Sequence, residues 1–321
     1  MPEMQQKTVK IHRVGEDTAE ILKEAVKNSG LHGKQTIYVK PNISHPEYIP
    51  GVVTCPELIS ELVGLLRDDN KEVIVGESNG FNYPCWGAFE GTGIEAAVKK
   101  AGGSVINLSE DKVVKVNFKT RSPVTALFLP KTVLDAEATV DMALMKTHEF
   151  AMYSGAIKNL FGCVPSNRRI YLHPYLSEVF YRLYTIIKPQ LTIIDARVAI
   201  EGNGPTKGSP VEMGLMLTGN CSLATDVIAS KIMGLKIEEI SYLNYIVRKT
   251  NLQPNEIIVQ GLQVPEVARN FKLPIIDLPV KAQMLIYKHE FLTKSLFCSL
   301  GFVKLLQKIT VAYRGRPIET S

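Results

Sequence analysis

The sequence predicts an α/β protein: a mostly parallel sheet covered by helices, with one lobe or two, and a C-terminal helical extension. Three observations carry this. Short β-branched runs alternate with amphipathic helical patterns through the first half, and conspicuous polar residues gather where those runs end. The 321 residues, 45% of them hydrophobic, can bury a large core. Helix-joined parallel strands have both sheet faces covered and collect functional loops at their carboxyl ends.

In order, "TVKIHRV" reads as a strand and "EDTAEILKEAVKNSG" as a helix closed by a glycine. "QTIYVKPN" is the next strand, "PELISELVGLLRD" a helix, "EVIVGES" a strand, then a helix ending "AAVKKAGG", then the strand "SVINL". In the second half "TVDMALMKTH" is a buried strand, and "LTIIDARVAIEGNGPTKGSP" is a strand to Asp195 followed by a glycine-rich loop. "GLMLTGNCSLATDVIASKIMG" gives a strand and a helix ending at Gly234. Residues 1–280 form the α/β body, with 196–210 as the segment that would hinge two lobes, and residues 281–321 form a basic amphipathic tail.

Several classes are excluded by composition. The five cysteines, Cys55, Cys85, Cys163, Cys221 and Cys298, are scattered with no C-x-x-C pair, so neither a disulfide framework nor a cysteine-held metal cluster is readable. The start "MPEMQQKTVKIHRV" lacks an apolar signal core, and nowhere do eighteen apolar residues run uncharged, so a cytoplasmic location is expected. Between Lys281 and Pro317 seven basic residues face one acid, which accounts for the whole net charge of +5. Nucleic acid is therefore not expected as a partner, because the rest of the chain is close to neutral. The tail, apolar at Leu285, Phe291, Leu292, Phe297, Leu300, Val303, Leu306 and Ile309, packs on the domain or a second copy, or lies at the inner face of an anionic membrane.

The candidate chemistry lies at three strand ends expected to converge: Lys40, Pro41 and Asn42; Glu77, Ser78 and Gly80; Lys146, Thr147 and His148. "THEFAMYSGAIKNLFGCVP" sets His148 ten residues before Lys158, with Ser154 and Gly155 between them. Helical spacing would put Ser154 and Lys158 on one face, and a helix start with a glycine and a lysine suits a phosphate or carboxylate. Arg168, Arg169 and His173 follow closely and make an anionic ligand the expected partner. Glu201, Gly202, Gly204 and Lys207 furnish a loop whose backbone can approach a ligand. Asp141, Asp195 and Asp226 adjoin apolar runs and could be bases, lysine partners, metal ligands or caps; Asp195 is assigned to the site and Asp226 to a helix start.

Taken together, "VKPN", "VGESNG", "MKTHEFAMYSGAIKNLFG", "ARVAIEGNGPTKGSP" and "ATDVIASKIMG" resemble the domain of unknown function family 362 over roughly residues 8 to 265. Many members carry ferredoxin-type cysteine clusters; this chain has none, so no such cluster is expected. "HEFAMYSGAIKNLFG" is also similar to a segment of the nickel-pincer lactate racemases. That resemblance implies His148 as acid/base, Lys158 as the lysine bearing a nickel-pincer nucleotide, and His173 as a metal ligand. It departs at the first strand end, where Lys40, Pro41 and Asn42 replace phosphate-binding residues.

The expected function is an enzyme acting on a small anionic metabolite, isomerase-like or oxidoreductase. His148, Lys158, Glu77 and Asp195 form its catalytic set. Lys40, Asn42, Ser78, Lys146, Ser154, Gly155, Arg168, Arg169, Glu201, Gly202 and Gly204 bind substrate or cofactor. The alternatives are a carrier for a phosphorylated cofactor or metal, and a redox partner protein.

Overall fold

The computed structural model describes residues 6–15, 18–81, 83–120, 122–165, 169–276 and 278–297, with 301, 305 and 308. The first half runs β1 (Thr8–Arg13), α1 (Ala19–Lys27), β2 (Thr36–Lys40), α2 (Pro56–Asp68), β3 (Glu72–Glu77), α3 (Cys85–Thr92), α4 (Ile94–Lys100) and β4 (Ser104–Asn107). Pro56 opens α2, where its missing N–H costs nothing, and Leu58, Ile59, Leu62, Val63 and Leu66 form its buried stripe. Then come β5 (Val113–Asn117), β6 (Ala126–Pro130), α5 (Lys131–Asp135), β7 (Ala138–His148), β8 (Met152–Ser154) and α6 (Ala156–Asn159). Tight helical turns at Leu160–Cys163 and Ile170–Tyr175 lead to α7 (Leu176–Ile187), β9 (Leu191–Glu201), β10 (Ser209–Gly219) and α8 (Ser222–Ile232). The chain continues with α9 (Ser241–Thr250), β11 (Ile258–Gly261), α10 (Val264–Val267), α11 (Leu278–Lys288) and α12 (Glu290–Phe297).

The main sheet has the order β11-β1-β10-β9-β7-β2-β3-β4, with β8 folded back on β7. Its centre, β9-β7-β2-β3-β4, is wholly parallel. Alternate side chains serve two cores. Ile37, Val39, Val140 and Ile193 pack with α1 and α2, while Tyr38, Ala143 and Ile194 pack with α6, α7 and α8. All eleven residues of β7 are buried, as a central strand covered on both faces requires.

Four features differ from the sequence reading. β1 pairs antiparallel with β10 and parallel with β11, because β10 returns from β9 as a hairpin and reverses the direction of its neighbour. β9 runs past Asp195 to Glu201, since the ladder to β10 continues through Val198 and Ile200, so the expected hinge segment 196–210 is this hairpin within one sheet. Asn28, not Gly30, ends α1. β5 and β6 form a separate two-stranded sheet that a βαβ rhythm does not require. The basic tail is helical at α11 and α12; Leu300, Val303, Leu306 and Ile309 lie outside the described residues.

Candidate functional site

The carboxyl ends of β7, β2 and β3 lie side by side. Pro41, without an N–H to offer, stops the β2 ladder and turns Lys40 inward. Lys40 Nζ lies 2.5 Å from Glu77 Oε2 and 2.6 Å from Pro41 O, and neither charged group reaches solvent to any extent. Such a pair is tolerated only while both partners are present. Gly162 closes over it: a Cβ there would stand 2.5 Å from Glu77 Oε1 and 2.8 Å from Lys40 Nζ. Ser78 donates its hydroxyl to Gly162 O at 2.7 Å and holds that turn in place.

A second chain of polar groups crosses from Asp141 to Lys146. Asn159 Nδ2 donates to Asp141 Oδ1 at 2.7 Å, and Asn42 Nδ2 donates to Asn159 Oδ1 at 3.0 Å. Lys146 Nζ donates to Asn42 Oδ1 at 2.7 Å, Val52 O at 2.9 Å and Ser44 Oγ at 3.1 Å, which uses all three of its protons. Burial raises the Asp141 carboxyl well above the usual carboxylate range, against the opposing hydrogen bond from Asn159, and its Oδ2 has no hydrogen-bond partner among the described residues. Burial also drives Lys146 well below an ordinary lysine, helped by the nearby Lys158 and Lys40 charges.

The segment that carries Lys158 is held from across the fold. Asp226, in the first turns of α8, accepts the backbone N–H groups of Ala156 and Ile157 at 2.7 and 2.9 Å and the Tyr153 hydroxyl at 2.9 Å. It therefore caps α6 from the second turn of its own helix, whose start is at Cys221, so it is not the helix-start residue expected from the sequence. Gly155 passes so close that a Cβ would fall 2.0 Å from Tyr153 Oη and 2.2 Å from Asp226 Oδ1. Ser154 belongs to β8, opposite Lys146, so it does not share a helix face with Lys158: the chain changes from strand to helix at Gly155. Burial, and then the charge of Arg169, push Lys158 down to about 8. Its Nζ makes no hydrogen bond or ion pair among the described residues. Arg169 donates to Asn79 O, and Arg168 lies outside the described residues.

His148 follows Lys146 by two residues on β7, so both project from one side of the strand. The Phe150 N–H donates to His148 Nδ1 at 3.1 Å, which places the proton of the neutral ring on Nε2. The hairpin tip after Glu201 rests on the same strand end. Thr147 Oγ1 donates to Gly202 O at 2.8 Å, the Glu149 N–H to Gly204 O at 3.1 Å, and Gly204 leaves no room for a Cβ beside Thr147 O. Glu201 is tied instead to the returning chain: the Lys272 N–H at 3.0 Å holds its carboxyl below the usual range.

Asp195 does not join this group. It faces the α2 side of the sheet and makes a two-point pair with Arg197, at 3.0 and 2.8 Å. Sequence reasoning had no role for Asn159, Gly162 or Arg197; the run "KNLFG" held the only local signal for the first two, a polar residue and a glycine framing one turn.

His173 donates from Nδ1 to Arg169 O at 3.1 Å, and its ring stacks on Tyr287 of α11 at 4.3 Å. Among the described residues no three His, Cys, Asp or Glu side chains converge as a metal-binding group would. The charged groups that converge are mainly cations, Lys40, Lys146, Lys158 and Arg169, a set suited to an anion. Among the described residues, a metal held by side chains does not fit that donor set.

The family model of the domain of unknown function DUF362 matches residues 37–231, which spans β2 through α8 and the whole of this cluster. The chain belongs to that family. A thylakoid-associated protein of Synechocystis sp. is 26% identical to this DUF362 chain over 266 residues, 74% of this chain and 79% of that protein. The lactate racemase apoprotein of Thermoanaerobacterium thermosaccharolyticum is similar in structure, with a TM-score of 0.46 and 15% identity. The match covers 72% of this chain and 58% of that one. No described helix of the DUF362 chain is long and apolar enough to cross a membrane.

Proposed function

We propose that the chain is an enzyme acting on a small anionic metabolite, a carboxylate or phosphate, through proton transfer at His148. The single observation behind this is charge balance. Lys40, Lys158 and Arg169 face Glu77 and an Asp141 carboxyl biased toward its neutral form, Lys146 is itself pushed toward its neutral amine, and Lys158 Nζ has no partner among the described residues. An anion would supply the missing negative charge, with Lys158 and Arg169 as its partners, because Lys40 and Lys146 are already committed to hydrogen bonds.

His148 has two uses. Its Nε2–H can donate to a substrate oxygen on which charge develops. Taking up a proton at Nδ1 displaces the Phe150 N–H bond, which is worth about 1 kcal/mol net. A second reading, a carrier that holds the anion without turning it over, is favoured by the commitment of Glu77 to Lys40 and of Asp195 to Arg197, which takes both carboxylates out of acid/base duty. The thylakoid association of the Synechocystis relative supports a peripheral place for this chain at a membrane surface.

The test is solvent-deuterium incorporation, read by NMR, into a panel of short hydroxycarboxylates and sugar phosphates, alongside calorimetric binding. The enzyme reading expects exchange that is lost in His148→Gln while binding is kept. Binding without exchange in the wild type selects the carrier. Binding of no anion, or binding indifferent to Lys158, sinks both.

A further inference from the structure

We infer that the outward side of α11 and α12 is a docking surface for an anionic lipid bilayer, set directly against the elements that carry the candidate site. This rests on the peripheral membrane placement and adds the face, the lipid charge and the orientation.

Exposed apolar side chains recur along the C-terminal part of the chain. Of the ten large hydrophobic side chains exposed among the described residues, seven lie between Leu273 and Leu305, and three of these, Leu285, Phe291 and Leu292, are on α11 and α12. Phe291 is 79% exposed and Leu285 59%, values a folded chain rarely leaves without a use when they cluster. The two helices have distinct inner and outer sides. On α11, Lys281, Leu285 and Lys288 recur at i, i+4 and i+7 and are all exposed, whereas Met284 and Tyr287 are partly buried. Tyr287 fixes the inner side by stacking on His173 and meeting the edge of Phe150 at 6.1 Å. On α12, Thr293 is wholly buried and donates its hydroxyl to Ile286 O at 2.9 Å. That contact ties α12 to α11 and leaves Phe291 and Leu292 on the solvent side.

Charge selects the occupant. On α11 and α12 the three lysines Lys281, Lys288 and Lys294 stand against Glu290, and the sequence adds four more basic residues and no acid from there to Pro317, which gives the segment +6 and the remainder of the chain −1. Lysines flanking exposed leucine and phenylalanine are what a helix lying in a lipid headgroup layer presents, with apolar side chains inserted and ammonium groups among anionic heads. A second copy is disfavoured, because a two-fold interface sets each patch against itself and would bring these basic segments together. With Tyr287 on the other side of the same helix, a docked chain keeps Phe150 and His173, which is hydrogen-bonded to Arg169 O, on the side of α11 that faces the body of the protein.

Co-sedimentation of the full chain with phosphatidylcholine vesicles, with and without phosphatidylglycerol, tests this. Binding should be about tenfold or more stronger to the anionic vesicles and fall as salt rises. Lys281→Glu with Lys288→Glu should remove the anionic preference. Leu285→Ser with Phe291→Ser should weaken binding about tenfold without lowering thermal stability, since both side chains are exposed. Equal binding to both vesicles, unchanged in the lysine variant, overturns the docking face and leaves the membrane placement standing. Binding to neither overturns both. A dimer dispersed by Leu285→Ser with Phe291→Ser, with no vesicle binding, overturns the proposal in favour of a second copy.

Discussion

Replacing Lys158 by methionine separates a lysine kept for a ligand from one kept for the fold. Burial and Arg169 take its pKa from 10.5 to about 8. At 1.36 kcal/mol per unit this is at most about 3 kcal/mol by which the folded apo protein disfavours the ammonium form, and on the order of 1–3 after relaxation. The unfolded chain binds the proton more tightly than the folded one, so this burden is fully present below pH 8. It is relieved as pH rises from about 8 to 10.5. Methionine has nearly the same shape and no charge. Lys158→Met should therefore raise the apo melting temperature at pH 7 by a few degrees and flatten the stability profile between pH 8 and 10.5. It should also weaken the binding of phosphate or small carboxylates by about 10- to 100-fold, the worth of one charged hydrogen bond. Wild-type affinity should fall above about pH 8 as the ammonium form is lost, whereas Lys158→Arg should stay flat across that range. Differential scanning calorimetry and titration calorimetry read both effects. A melting temperature lowered by several degrees, with binding unchanged, would refute the reasoning and make Lys158 a structural residue.

Two further outcomes concern the framework. Lys40→Met leaves Glu77 buried without its cation and should cost about 3–5 kcal/mol in urea unfolding, whereas Lys40→Met combined with Glu77→Leu should recover most of that loss; equal losses in both variants would count against a coupled pair. Asp226 has its pKa raised by burial to about 6 from 3.8, so the folded state holds the proton more tightly and this residue's contribution to stability declines as pH rises from about 4 to 6. Asp226→Asn should remove that decline, and an unchanged stability profile over this range would show that the carboxyl titrates normally.

Much of the frame was legible because its signals are local. The segment "PELISELVGLLRD" coincides with α2, since a proline at a helix start and a regular apolar stripe need no distant partner. The ends of β2, β3 and β7 could be placed on one edge because helix-linked parallel strands share a direction, and Lys40, Asn42, Glu77 and Lys146 do meet there in hydrogen bonds. Directions set by hairpins were less legible: β1 looked like one more parallel strand, and only its pairing with β10 reversed it.

The sequence by itself determined the alternation of strands and helices, the basic amphipathic character of the tail and the residue types from which an anion site can be made. Tertiary structure decided which of them are already used. Asp195 and Glu201 read as well as Glu77 along the chain, yet one is neutralised by Arg197, one is bound to the Lys272 backbone, and one is sealed under Gly162 with Lys40. The reason is that burial and pairing depend on partners as distant as residue 272 is from Glu201 or residue 226 is from Ala156, and no local pattern records those encounters. Lys158 stands apart for the same reason, as the half-buried cation to which the fold brings a like charge and no acceptor among the described residues.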